Sequence, residues 1–329
     1  MKIDIICTIG PASWSDEMII KMIHAGMSVA RINASFADHT EIKRIMNLVK
    51  SVNPDVEVML DLMGNKIRIA KLQESKEIKN GEIVIIECDP LNDDQDKLHI
   101  TYENLYTDIK LDAPILIEDG RIRLKVTKIE GTHIYTEVII GGLVKNGKTL
   151  NVPGTNLTFD TLTTKDTADL KVGIEINVDK IAVSFVRNAL DIEHVKSFLN
   201  GRDIKIISKI ENPQGVENFD EILNISEGIM VARGDLGVEM PLESIPILQK
   251  QFIKKANAHN KYIIVATEMI SSMVENATPT RAEVSDIANA VMDGANALML
   301  SAESSVGKYP VESIEYMKKI IEYTANADK

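Results

Sequence analysis

An apolar run at residues 204–207 ends in Ser208-Lys209-Ile210-Glu211-Asn212. Side chains alternate faces along a strand, so Lys209 and Glu211 point the same way. An ammonium and an acid held together on a core strand are costly unless a ligand or a metal meets them. A second apolar run at 228–232 ends in Arg233-Gly234-Asp235-Leu236-Gly237, which brings another acid to the end of the next strand. Glu211 and Asp235 could then hold a divalent cation beside Lys209. A metal clamp plus one point charge is the equipment of phosphoryl transfer.

The elements that must position these residues follow a strand–helix rhythm. Strands are expected at 3–8, 28–32, 56–61, 180–185, 204–209, 228–232, 262–267 and 297–300, and helices at 16–25, 40–52, 192–199, 247–259 and 282–292. Eight such units predict an α/β fold, a (β/α)8 TIM barrel whose active site gathers at the C-terminal strand ends. Polar residues occur there on nearly every strand: Arg31 and Asn33; Asp61; Ser184 and Arg187; Lys209 and Glu211; Asp235; Thr267 and Glu268; Ser301 and Glu303.

The third unit breaks the rhythm. After Asp61-Leu62-Met63-Gly64-Asn65-Lys66 the chain loses helical periodicity and shows short alternating segments. Turn signals separate them: Asn80-Gly81, Asp119-Gly120, Glu130-Gly131, Gly141-Gly142 and Asn146-Gly147. The expected division is a barrel of residues 1–68 and 156–329, with 69–155 inserted after the third strand as a small sheet or barrel placed to act as a lid.

Composition narrows the function classes. The 329 residues carry 44% hydrophobic and 26% charged side chains, as an ordinary globular protein does. A net charge of −12 argues against nucleic-acid binding. No apolar stretch is of spanning length, and the start lacks a signal-peptide pattern, so no membrane association and a cytoplasmic location are expected. Cys7 and Cys88 form no C-x-x-C pair, and the six His share no metal-ligand spacing.

An ordered set of motifs gives the chain a family resemblance. It includes Cys7-Thr8-Ile9-Gly10-Pro11-Ala12-Ser13, Gly26-Met27-Ser28-Val29-Ala30-Arg31-Ile32-Asn33, Asn151-Val152-Pro153-Gly154 and Ser184-Phe185-Val186-Arg187. Further along come Ser208 to Asn212, the run from Val231 to Pro241, Pro279-Thr280-Arg281-Ala282-Glu283 and Gly307-Lys308-Tyr309-Pro310-Val311-Glu312. The whole resembles pyruvate kinase. That resemblance implies an eight-stranded barrel with an inserted small β-barrel lid domain, phosphoenolpyruvate and ADP/ATP as substrates and Mg²⁺ (or Mn²⁺) as cofactor. It places Lys209 on the transferring phosphoryl group, Glu211 and Asp235 on the metal, and Arg31 on phosphate oxygens. Thr267 and the amides of Gly234 and Asp235 would hold the substrate carboxylate. Thr267, Ser301 and Glu303 would relay a proton to the enolate. Asn33, Arg68 and Lys165 would contact the nucleotide phosphates or nearby groups. The stretch 276–292 resembles a subunit contact and suggests a homodimer through the barrel.

Three departures from the family pattern shape further expectations. Asn33, Ser35 and Asp61 match a monovalent-cation site, but Lys66 stands where potassium-dependent members carry Glu. A fixed ammonium there predicts that K⁺ is not required. Phe36-Ala37 replaces His-Gly near the nucleotide, and Glu268 replaces Gln. These changes leave room for a non-ADP acceptor or another fate of the enolate as the alternative. The chain ends at Lys329, where the family usually continues into a C-terminal regulatory domain, so activation by a sugar phosphate bound there is not expected.

Overall fold

The computed structural model describes residues 3–327. Eight parallel strands close into a barrel: β1 (Asp4–Ile9), β2 (Val29–Asn33), β3 (Glu57–Asp61), β4 (Lys180–Val183), β5 (Lys205–Ile210), β6 (Gly228–Ala232), β7 (Tyr262–Ala266) and β8 (Ala297–Leu300). Each pairs with its neighbours in sequence, and β8 closes on β1 with Asp4 opposite Ala297. The strands read as unbroken apolar runs because both faces are covered. Ile6, Val29, Met59, Ile207, Met230, Ile264 and Met299 fill the barrel interior. Alternate residues such as Ile5, Cys7, Ile206 and Val231 face the helices outside.

The helices begin where side-chain caps allow. Ser15 caps Asp16–Ala25 and Asp38 caps His39–Val52. The helix expected at 192–199 starts earlier, at Ala189, because the Asn188 side chain caps it. Thr163 and Asp166 form a capping box at the start of Thr164–Glu175. Asp166 Oδ1 also accepts the amides of Met63 and Gly64, at 2.8 and 3.2 Å, so this cap fixes the chain leaving β3. Gly64 has φ +69°, and a Cβ there would lie 2.7 Å from Cβ of Ser184. The seven-residue helix Arg233–Glu239, directly after β6, has no counterpart among the expected elements.

Between β3 and β4 lie short strands with an apolar core of their own, including Ile69, Ile86, Ile115, Leu124 and Ile134. Seven form one sheet that starts at Leu150–Asn151 and ends at Ile69–Ala70. Those two edges meet through an isolated bridge between Arg68 and Thr149 and through the Leu150 amide, which donates to Ile67 O at 2.8 Å. The sheet therefore closes on itself. Asp119 and Gly120, both at positive φ, make the tight turn ahead of Ile122–Glu130.

One acid inside this insertion predicts its response to pH. Burial would raise the Glu87 carboxyl, but the Asp89 amide, the Thr132 hydroxyl and Lys97 outweigh it and hold it down to about 2. A folded pKa below the unfolded value stabilises the fold above about pH 4.5. That stability is lost as pH falls toward 2. The thermal midpoint should drop across this window, and the drop should be smaller in Glu87→Gln. Equal drops in both proteins would contradict the assignment.

Candidate active site

The C-terminal ends of the barrel strands bring the cationic and acidic residues together. Lys209 is the penultimate residue of β5 and 8% exposed. Its Nζ donates to Ser184 Oγ at 2.7 Å and lies 3.0 Å from Glu211 Oε1 and 3.2 Å from Asp61 Oδ1. Burial disfavours this ammonium, but Asp61 and Glu211 more than compensate and raise its pKa above the ordinary lysine range. It is a permanent positive charge in a largely dry site. Arg31 reaches in from β2, donating through Nε to Asp61 Oδ2 at 2.6 Å and through Nη1 to Thr8 Oγ1 at 2.8 Å. The Thr8 hydroxyl donates in turn to Leu300 O at 2.8 Å, so β1, β2, β3 and β8 share one network. Burial alone would raise the Asp61 carboxyl, yet Lys209 and Arg31 hold it below the usual range.

Each acid of the cluster has a cation beside it, but two keep an oxygen without a hydrogen bond. Glu211 is fully buried, and its Oε2 accepts the Phe185 amide at 2.8 Å. No hydrogen bond reaches Glu211 Oε1 or Asp61 Oδ1, although both oxygens lie in charge contact with Lys209. Burial, with help from Asp235, pushes the Glu211 carboxyl up against the pull of Lys209. Asp235 behaves oppositely: burial is outweighed by Lys66 and Lys209, and its carboxyl is lowered. Two facing carboxyls of which one resists ionisation, together with a buried oxygen that no hydrogen bond reaches, suit a hard cation as ligands. Among the described residues no group of three or more His, Cys, Asp or Glu could hold a metal ion. A cation here would take two carboxylates and complete its shell with water or substrate oxygens, as Mg²⁺ commonly does.

A cleft of about 580 Å³ opens over this cluster. Asn33, Ser35, Arg68, Thr267 and Ser301 also border it, so the structure gathers most of the expected residues. Asn33 Oδ1 accepts the Ser35 amide at 3.0 Å, and Arg68 Nη1 donates to Gly147 O at 3.0 Å. Trp14 and Phe36 stand at the rim, 41% and 79% exposed. Lys66 borders the same cleft as Asn33, Ser35 and Asp61. Its Nζ donates to Asp235 Oδ1 at 2.6 Å and lies 5.2 Å above the Phe185 ring. Thr267 holds φ +69°, an unfavourable conformation for a β-branched residue, and its Oγ1 accepts the Gly234 amide at 2.7 Å. The Gly234 amide expected to meet a substrate is therefore engaged internally.

Two expected residues lie elsewhere. Glu303 is 1% exposed, and its oxygens accept the amides of Ser301 at 2.7 Å and Ile270 at 3.3 Å. It braces the loop after β8 and does not line the cleft. Lys165 is in the first turn of its helix and donates to Ala34 O at 2.6 Å and to Asp169 Oδ2 at 2.7 Å. That i, i+4 pair turns its ammonium along the helix. Thr8, which holds Arg31, was missed by the sequence reading although it carries the same signal, a polar residue near the end of an apolar strand.

The family described as pyruvate kinase, barrel domain, matches residues 1–314. Pyruvate kinase of Clostridium perfringens is 43% identical over 328 residues, covering 97% of this chain and 69% of that protein. That of Bacillus licheniformis is 44% identical, covering 97% of this chain and 56% of that protein. For Geobacillus stearothermophilus the values are 43%, 99% and 57%. The chain thus spans between 56% and 69% of the length of these relatives.

Proposed function

Because the chain belongs to the pyruvate kinase family, we propose that it moves the phosphoryl group of phosphoenolpyruvate to ADP, yielding pyruvate and ATP. The observation that carries this reading is the buried Lys209 ammonium in contact with Glu211 and Asp61, each of which keeps an oxygen without a hydrogen bond. Glu211 and Asp235 would hold Mg²⁺ (or Mn²⁺), which supplies Lewis-acid stabilisation of charge on the transferring group. Lys209 neutralises charge on the phosphoryl oxygens and on the enolate left behind, in a site where fixed charges act strongly. Arg31 presents a planar fork to phosphate, held in place by Asp61 and Thr8. Thr267 and Ser301 border the cleft, and their hydroxyls would relay a proton through water to the enolate carbon.

Arg68 and Asn33 would meet the nucleotide phosphates, and the exposed ring of Phe36 beside Trp14 offers a face to a planar base. The insertion, taken as residues 69–155, would close over the barrel of 1–68 and 156–329 and exclude water. A homodimer through 276–292 would cover Val284 and Met292, which are exposed on Arg281–Asp293. Among the described residues no helix is long and apolar enough to cross a membrane. A cytoplasmic location completes the reading.

The Lys66 ammonium already supplies one positive charge beside Asp235, so turnover should not require K⁺. Pyruvate formation from phosphoenolpyruvate, ADP and Mg²⁺ should be equal in KCl and in a tetraalkylammonium salt at the same ionic strength. A several-fold rise in KCl would overturn K⁺ independence. No turnover with any nucleoside diphosphate would favour a different acceptor.

A further inference from the structure

Asn151 Nδ2 donates to Glu239 Oε1 at 2.8 Å. Asn151 ends the final strand of the insertion, and Glu239 is the last residue of the helix Arg233–Glu239. In the first turn of that helix, Asp235 receives Lys66, which lies on the outgoing connection from β3. Each connection between barrel and insertion therefore grips one end of the short helix that presents Asp235.

The helix needs such ties. Its N-cap residue, Ala232, offers no side-chain cap; the Thr267 hydroxyl accepts the Gly234 amide in the first turn, and Gly234 and Gly237 weaken the helix from within. Of its seven residues, Leu236 is the buried one. A cavity of about 70 Å³ lies between the connections and the barrel, bordered by Asn151, Glu239, Lys66 and Asp235. That is room for a few water molecules rather than a filled interface.

We infer that Glu239 is a positioning residue: by accepting the Asn151 amide it fixes the helix that carries Asp235, so the cation affinity of the Glu211–Asp235 pair depends on where the insertion sits. The inference rests on the divalent-cation reading above. Groups that orient a ligand without touching the metal commonly change affinity by about 10–100-fold when lost.

Mn²⁺ binding to the full chain without substrates, followed by electron paramagnetic resonance, tests it. Asn151→Ala and Glu239→Ala should each weaken Mn²⁺ binding by about tenfold, and the double variant no further. Glu239→Gln keeps the acceptor oxygen and should bind within about twofold of the parent. Asn151→Ala is the deciding variant, because it removes the bond and leaves the Glu239 charge. Unchanged binding in Asn151→Ala, or binding in Glu239→Gln as weak as in Glu239→Ala, would overturn the inference while leaving the cation site intact. Absence of Mn²⁺ binding in the parent would instead remove the cation reading, and this inference with it.

Discussion

Lys209→Met should lower phosphoryl transfer by at least about 10³-fold, the scale seen when a preorganised charge aimed at the transition state is removed. Met matches the length and apolar stem of Lys but carries no charge. Three partners lose their contact at once: Ser184 Oγ at 2.7 Å, Glu211 Oε1 at 3.0 Å and Asp61 Oδ1 at 3.2 Å. Asp61 keeps Arg31, so the strand ends stay tied. Glu211 keeps the Phe185 amide but loses its nearest cation, and its carboxyl should then protonate more readily. The loss should appear in kcat more than in KM, because the charge that Lys209 meets grows during transfer. A variant retaining a tenth of the parent rate would place the chemistry elsewhere.

Glu211→Gln should abolish Mn²⁺ binding at this site, weakening it by at least about 10²-fold, or roughly 2.7 kcal/mol. The substitution is close to isosteric, and the amide oxygen of Gln can still accept the Phe185 amide. What disappears is one of two carboxylates, while the cations Lys209 and Lys66 remain beside the site. The thermal midpoint should stay level or rise. Burial already pushes the Glu211 carboxyl up, which means that its ionised form costs stability in the folded protein. A separate loss of binding with retained stability would mark the residue as one kept for function. A parallel loss of both would make it a structural acid.

The contrast between these residues and Glu303 shows what the sequence can reveal. Strand ends were legible because each is an apolar run that stops at a polar residue, and a barrel buries both faces of every strand. Lys209, Glu211 and Arg31 lie on or just past strands, where alternation fixes side-chain direction. Glu303 follows Ser301, whose backbone at φ −107° and ψ −95° leaves the strand path, so periodicity no longer says where the carboxyl points. Lys165 is different: its i, i+4 partner Asp169 was visible in the sequence, and the pair takes up the ammonium expected at the nucleotide.

The insertion was legible as β-rich from its turn residues. Its closure was predicted from the family resemblance rather than from periodicity, since the closing contact is one bridge between Arg68 and Thr149. The helix Arg233–Glu239 was hidden by its two glycines, which are poor helix formers. The Asn151–Glu239 bond joins residues 88 apart in the chain, and no local pattern announces it.

Phosphorus NMR of the protein with phosphoenolpyruvate, ADP and Mg²⁺ follows the transfer itself. The phosphoenolpyruvate resonance should fall as the γ-phosphate of ATP grows in equal amount, with no inorganic phosphate. Release of inorganic phosphate, or an unchanged spectrum under conditions where Mn²⁺ binds, would contradict transfer to ADP.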